Sequence, residues 1–213
     1  MGDVVAVIGS KGGVGKTTLA VALAAWRAES GAAVLLVDTD ANRSASRFLS
    51  DAQLPGVEGV CLDDPDDVLE QVPSLAERFA CVVIDGAGGL DELSRAALLR
   101  CDFALLPSGA GALDLRGLER SARLVKQAQS IRRGAPRAVA VLNRIRAGTV
   151  LAREALEVAG SFGVPIAASV LADRVALADA FGQGVSPFAF PPARESAAEL
   201  RRLFVELFPE SKS

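Results

Sequence analysis

Histidine and tyrosine are missing from the 213 residues, and tryptophan and methionine occur once each. Without histidine there is no Ser-His-Asp or Cys-His nucleophilic machinery, and most catalytic zinc sites lose their usual ligand. Without tyrosine there is no autophosphorylation on that side chain. The cysteines are three, Cys61, Cys81 and Cys101, with no CxxC pair. Neither a disulfide framework nor a zinc site is expected, and a reducing cytoplasm is the better setting. Apolar runs stop far short of the roughly 20 residues a bilayer span needs. A Gly-rich loop starting at Gly9 leaves no basic-then-apolar leader to expect. What is plentiful is apolar surface. Half of the residues are hydrophobic, too many for a disordered chain, and the length suits one globular domain over 1–213.

The net charge of -3 conceals an asymmetry. Residues 1–113 carry 8 basic and 16 acidic side chains, and residues 114–213 carry 15 and 10. Between Arg116 and Arg153 there are ten Lys or Arg and one acid, Glu119, so a strongly basic segment lies inside a nearly neutral chain.

Val4-Val5-Ala6-Val7-Ile8 is a continuous, β-branched apolar run, the pattern of a strand buried on both faces. Similar runs occupy 33–37, 80–84, 103–106 and 138–142. Helical patterns lie between them, over 17–29, 91–99, 114–132, 149–161 and 195–207. Strands alternating with helices predict an α/β, three-layer sandwich with a mostly parallel sheet. The stretch 51–74, with Asp63, Asp64, Asp66 and Asp67, reads as an irregular surface insertion. In such sheets ligands bind beyond the carboxyl ends of the strands. Those positions are the loop 9–18, Asp38 and Asp40, Asp85, Ser108, and Asn143 with Arg144.

Ser10-Lys11-Gly12-Gly13-Val14-Gly15-Lys16-Thr17-Thr18 follows a strand and opens a helix, the context that validates a P-loop. Glycines let successive backbone N–H groups turn towards a phosphate, and the helix N-terminus adds partial positive charge. Lys16 would reach the β- and γ-phosphates, and the Thr17 hydroxyl would ligate Mg²⁺. The general pattern has Gly where Ser10 stands, and an additional lysine, Lys11, opens the loop.

The string Lys11-Gly12-Gly13-Val14-Gly15-Lys16-Thr17-Thr18 resembles the deviant Walker A box of the ParA/MinD family of P-loop ATPases, and among them the small ParA-type partition proteins. The resemblance runs along most of the chain. Val34 to Asp40 resembles the family's second box, Val82-Val83-Ile84-Asp85 its Walker B strand, and Leu142-Asn143-Arg144 the strand end that reads the base. The resemblance implies a nucleotide-dependent homodimer enclosing two ATP molecules. Lys11 would reach the nucleotide of the other subunit and neutralise charge developing on the γ-phosphate. It implies that Asp40 positions the attacking water, that Asp38 belongs to the outer shell of Mg²⁺, and that Asp85 holds Mg²⁺ through water. The alternative for each carboxylate is helix capping, since Asp is a favoured N-cap. Asn143 would meet the adenine edge or be an ordinary loop residue. Two stretches depart from the family pattern. Ala41-Asn42-Arg43-Ser44 stands where Pro-Gln-Gly-Asn is common, and Gly86-Ala87-Gly88-Gly89 stands where a Pro-containing turn is usual, which suggests a mobile, switch-like turn.

The family divides by partner. In the helix 114–132, Leu115, Leu118, Ala122 and Val125 share one face and predict a core contact. Arg116, Arg120 and Arg123 then line an outward stripe, with Lys126, Arg132 and Arg133 nearby, suited to nonspecific DNA. Arg174, Arg194, Arg201 and Arg202 are further candidates, and a family DNA-binding arginine aligns with either Arg174 or Ala176. A MinD-like membrane helix is the second reading. The segment 195–208 carries Glu195, Glu199 and Glu206 beside its apolar residues, which argues against a basic anchor. A biosynthetic P-loop enzyme is the third, and the missing histidine makes its acid–base groups harder to furnish. The resemblance therefore points to a cytoplasmic, nucleoid-associated ATPase that hydrolyses ATP slowly. A partition-type partner would stimulate it, and the dimer would bind DNA to segregate DNA or position a protein cargo.

Overall fold

The computed structural model describes residues 2–52, 54–89, 92–146 and 149–209. Its strands are β1 (Asp3–Val7), β2 (Val34–Asp38), β3 (Val57–Cys61), β4 (Cys81–Asp85), β5 (Phe103–Ser108) and β6 (Arg137–Leu142). All pairings are parallel, in the order β3-β2-β4-β1-β5-β6. The helices are α1 (Lys16–Glu29), α2 (Ser44–Asp51), α3 (Pro65–Arg78), α4 (Glu92–Arg100), α5 (Ala112–Ile131), α6 (Val150–Gly160), α7 (Val175–Gly182) and α8 (Arg194–Leu207).

Successive strand side chains point to opposite faces. Val4 and Ala6 of β1 join a core with α3, α4 and α5, whereas Val5 and Val7 join one with α1, α2 and α8. The expected layers are therefore present. The chain order reverses direction around β1, so the loop after β1 lies at the switch point where α/β sheets bind ligands.

The stretch 51–74 is not an irregular insertion. It contains β3 and the first turns of α3. Among the described residues β3 pairs only with β2, and it is half-exposed, so its sequence Val-Glu-Gly-Val-Cys lacks the apolar run of a buried strand. The acidic run starts a helix. Asp64 caps α3 by accepting from the Asp66 N–H at 2.8 Å, Pro65 occupies the first turn, and Asp66 and Asp67 face the positive helix end.

After β6 the chain runs alongside it again. Leu171 N–H donates to the Leu142 carbonyl, and Ile145 N–H to Leu171. The outer amides of this segment have no further strand to bond. Glu206 of α8 accepts from the Ala168 and Ser169 N–H groups, and Glu199 accepts from Ala172. Leu200, Leu203, Phe204 and Leu207 of α8 are buried, each worth about 1.5–3 kcal/mol when removed from water. The apolar face of α8 is thus committed to the core, while Arg201, Arg202 and Val205 on its other side are exposed. Arg174 is held between Glu195 and Glu199. Among the described residues, no helix is long and apolar enough to cross a membrane.

Candidate functional site

The loop after β1 turns through two left-handed glycines, Gly13 (φ 78°) and Gly15 (φ 92°). Gly15 is required twice over, because a Cβ there would also lie 2.2 Å from the Asn143 amide nitrogen. α1 starts at Lys16 with neither a side-chain cap nor an acid in its first turn. Its leading N–H groups therefore face the loop without a protein acceptor, unlike those of α3, and suit an anion. Lys16 is only 6% exposed, and its ammonium donates to the Lys11 carbonyl at 3.0 Å. Burial pulls its pKa below that of an ordinary lysine, while Asp85 and Asp40 oppose the shift.

Three aspartates stand on the β2–β4 side. Asp38 and Asp85 end adjacent strands in register. Asp38 accepts from the Asp40 N–H (3.1 Å), the Ser46 N–H (2.8 Å) and the Ser46 hydroxyl (2.8 Å), so it ties α2 and the Asp40 turn to β2. Asp40 accepts from the backbone and side-chain amides of Asn42 and lines the cleft above the loop. Asp85 is fully buried, and neither carboxylate oxygen has a well-formed hydrogen bond. Burial pushes its pKa up to about 7. The neighbouring Asp38 adds to the shift, while the Thr17 hydroxyl and Lys16 oppose it. The turn after Asp85 is anchored. Gly86 N–H donates to the Val7 carbonyl, and a Cβ on Gly86 would lie 2.7 Å from that oxygen, so close approach to β1 accounts for this glycine.

On the β5–β6 side the side chains that reach the loop are bonded to it or to each other. Asn143, 5% exposed, donates to the Val14 carbonyl at 2.8 Å, and its own oxygen accepts from the Arg144 N–H. Arg144 has a left-handed backbone (φ 58°) and reaches the Gly13 carbonyl (3.1 Å) and Asp173 (3.3 Å). Lys11 pairs with Asp114, the third residue of α5, at 2.5 Å. Asp114 and Asp173 escaped the sequence reading. An acid in a first helical turn is the signal that could have marked Asp114. A cleft of about 890 Å³ opens over the loop, bounded by Lys16, Asp40, Asn143, Arg144, Asp173 and Phe181.

Residues 5–188 match the model of the CobQ/CobB/MinD/ParA nucleotide binding domain. The chain belongs to this family. The maintenance of carboxysome distribution protein A of Halothiobacillus neapolitanus is 28% identical, over 96% of this chain and 95% of its own. The chromosome-partitioning ATPase Soj of Thermus thermophilus is 27% identical, over 95% and 94%. Among solved structures, an ATP complex of a Cyanothece McdA variant superposes with a TM-score of 0.80 at 17% identity, covering 100% of this chain and 98% of that one. The sheet and its flanking helices are those of the P-loop MinD and ParA ATPases.

The arrangement fits a family nucleotide with its Mg²⁺. A buried, under-bonded carboxylate costs several kcal/mol when charged, and a cation beside Asp85 and Thr17 would satisfy it. Among the described residues no three acidic or cysteine side chains form a metal cage. Mg²⁺ characteristically shares its coordination between one or two carboxylates and substrate phosphates, which suits Asp85 with the buried Asp38 beside it. Away from the cleft, Leu118, Ala122 and Val125 of α5 are buried and Leu115 half-buried, while Arg116, Arg120 and Arg123 are exposed, as the helical spacing predicts. Arg123 pairs with Glu119 at 2.7 Å. Arg132 turns inward to the Leu98 and Cys101 carbonyls and leaves the stripe.

Proposed function

We propose that the chain is a positioning ATPase whose Mg–ATP form is a homodimer that binds DNA without reading its sequence. In this reading residues 1–213 act as one unit. Lys16, Thr17, Thr18 and the amides of Gly12 to Gly15 hold the phosphates. Asp85 and Thr17 hold Mg²⁺, with Asp38 behind them, and Asn143 stands at the base side. Asp40 orients the attacking water. Bound Mg²⁺ would neutralise charge on the β- and γ-phosphate oxygens. Lys11 acts on the partner's nucleotide. The observation that carries the reading is the buried Lys16 opposite Asp85, whose buried oxygens have no well-formed hydrogen bond, beneath an uncapped helix start. The full-length likeness to a carboxysome-distribution protein and to a chromosome-partitioning ATPase supports a protein or DNA cargo carried over the nucleoid. A stimulatory partner protein would set the rate of hydrolysis. The membrane reading is disfavoured, because the apolar face of α8 is already buried against the sheet.

Binding to random duplex DNA, followed by anisotropy with and without Mg–ATP over a salt series, tests this. Arg116 and Arg120 have no ion-pair partner among the described residues. If each contacts one phosphate, four contacts per dimer are lost in Arg116→Glu/Arg120→Glu. The slope of log K against log salt then becomes shallower by about 3.6. Binding indifferent to ATP, or unchanged in the variant, would overturn the DNA reading. Sedimentation with anionic vesicles and not with DNA would favour the membrane one.

A further inference from the structure

The extra lysine of the loop is not free. Lys11 is 43% exposed at its side chain, yet its ammonium sits 2.5 Å from the Asp114 carboxylate, which is 23% exposed. The contact joins residues 103 positions apart, so the fold creates it. Asp114 is held where it is. It lies in the first turn of α5, where the helix end favours an anion, and folds back over the Gly109–Gly111 turn. Ser10 fastens the loop to the same helix. Its N–H donates to the Ser121 hydroxyl (3.3 Å), and its own hydroxyl donates to the Gly117 carbonyl (3.0 Å). The departure from Gly at position 10 thus has a use, since the serine side chain pins Lys11 along α5. The Lys11 carbonyl meanwhile accepts from Lys16. One residue is bonded to the cis phosphate lysine through its backbone and to α5 through its side chain.

Beside this pair lies a groove of about 660 Å³ between the loop, the 109–111 turn and the start of α6. Leu113, Val150 and Leu151 stand exposed near it, at 65%, 59% and 53%. Large apolar side chains around a charged pair suit a surface that another protein covers.

We propose that Asp114 is a positioning residue for Lys11, an internal latch that holds the lysine in cis until the triphosphate of a second subunit draws it across. The proposal rests on the homodimer reading above. An ion pair of this exposure is worth at most about 1 kcal/mol, or about fivefold in an equilibrium. A twofold-symmetric dimer opens two latches, so removing both tightens association by up to about 25-fold. Because the latch is electrostatic, the gain shrinks as salt rises.

Sedimentation equilibrium with a slowly hydrolysed ATP analogue and Mg²⁺ tests this on the full chain. Four variants are needed: Asp114→Asn, Asp114→Glu, Lys11→Ala, and the pair Lys11→Ala/Asp114→Asn. Asp114→Asn should lower the dimer Kd by about 2- to 25-fold, and Asp114→Glu, which retains the charge, should return it towards that of the unsubstituted chain. In the Lys11→Ala background the same Asp114→Asn change should have no effect. A gain that persists there means α5 itself was altered, and overturns the latch. So does a neutral or weakened Asp114→Asn when Lys11→Ala is impaired. If Lys11→Ala dimerises normally, the trans role of Lys11 fails first and the latch with it. Helical circular dichroism on each variant separates misfolding from these outcomes.

Discussion

The two flanks of the phosphate loop are built on opposite plans. On the β2–β4 side charge exceeds its partners. Asp85 is buried with both oxygens unsatisfied, and Lys16 is buried between it and a backbone carbonyl. On the β5–β6 side the loop is tethered by paired side chains. Asn143 holds Val14, Arg144 holds Gly13 and Asp173, and Asp114 holds Lys11. In the proposed reading an arriving Mg-nucleotide would complete the first flank and loosen bonds in the second, which would put affinity mainly on the acidic side and control on the tethered side.

The largest effect should come from the acidic flank. Lys16→Met keeps the shape of the stem and removes the cation. A charge-assisted hydrogen bond is worth about 1.5–3 kcal/mol, so ATP affinity should fall about 10- to 150-fold, measured with a fluorescent ATP analogue. Thermal stability should hold or rise, since a buried ammonium has been replaced by an apolar group. Affinity within threefold of the unsubstituted chain would mean that the β5–β6 flank carries the binding after all.

Asp85 supplies the next effect, on stability. Its folded pKa is about 7 against an ordinary value of 3.8. Between these values the folded chain keeps a proton that the unfolded chain has lost, so the contribution of Asp85 to stability is full below about pH 4, declines as pH rises, and levels off above about 7. One pKa unit corresponds to about 1.4 kcal/mol, so the decline amounts to a few kcal/mol. Denaturant unfolding at pH 5 and pH 8, compared between the unsubstituted chain and Asp85→Asn, isolates this term from the other carboxylates. Asp85→Asn should lose stability less steeply across that interval, and saturating Mg–ATP should flatten the slope of the unsubstituted chain. Equal slopes in both proteins would show that the carboxyl is not strained by its burial.

The acidic flank was also the more legible one. β1, β2, β4, β5 and β6 are buried on both faces and show apolar runs, so the residues just beyond them could be picked out by position. The phosphate loop was readable because its chemistry is contiguous in sequence. β3 was hidden by being a half-exposed edge, and α2 and α7 by having only eight residues each. The tethers were hidden for a different reason. Lys11 meets Asp114 across 103 positions and Asn143 meets Val14 across 129, and no local pattern encodes such meetings. Arg174 shows the same limit from the other direction. Exposed by composition, it is clamped by Glu195 and Glu199 from α8, which weakens its case as a phosphate contact.

The smallest effect belongs to Arg144, and it tests whether the tethered flank acts on rate more than on stability. Its bonds to Gly13 and Asp173 are solvent-exposed, and such bonds contribute at most about 1 kcal/mol. Its left-handed backbone disfavours arginine and is tolerated by asparagine. In Arg144→Asn the lost tethers and the relieved backbone should nearly cancel, leaving unfolding free energy within about 0.5 kcal/mol of the original. The loop at Gly13, released from the guanidinium, should exchange nucleotide about two- to fivefold faster, which stopped-flow displacement of a labelled ADP would resolve. Unchanged exchange with lowered stability would make Arg144 a structural clasp, and confine control of the loop to Asp114 and Asn143.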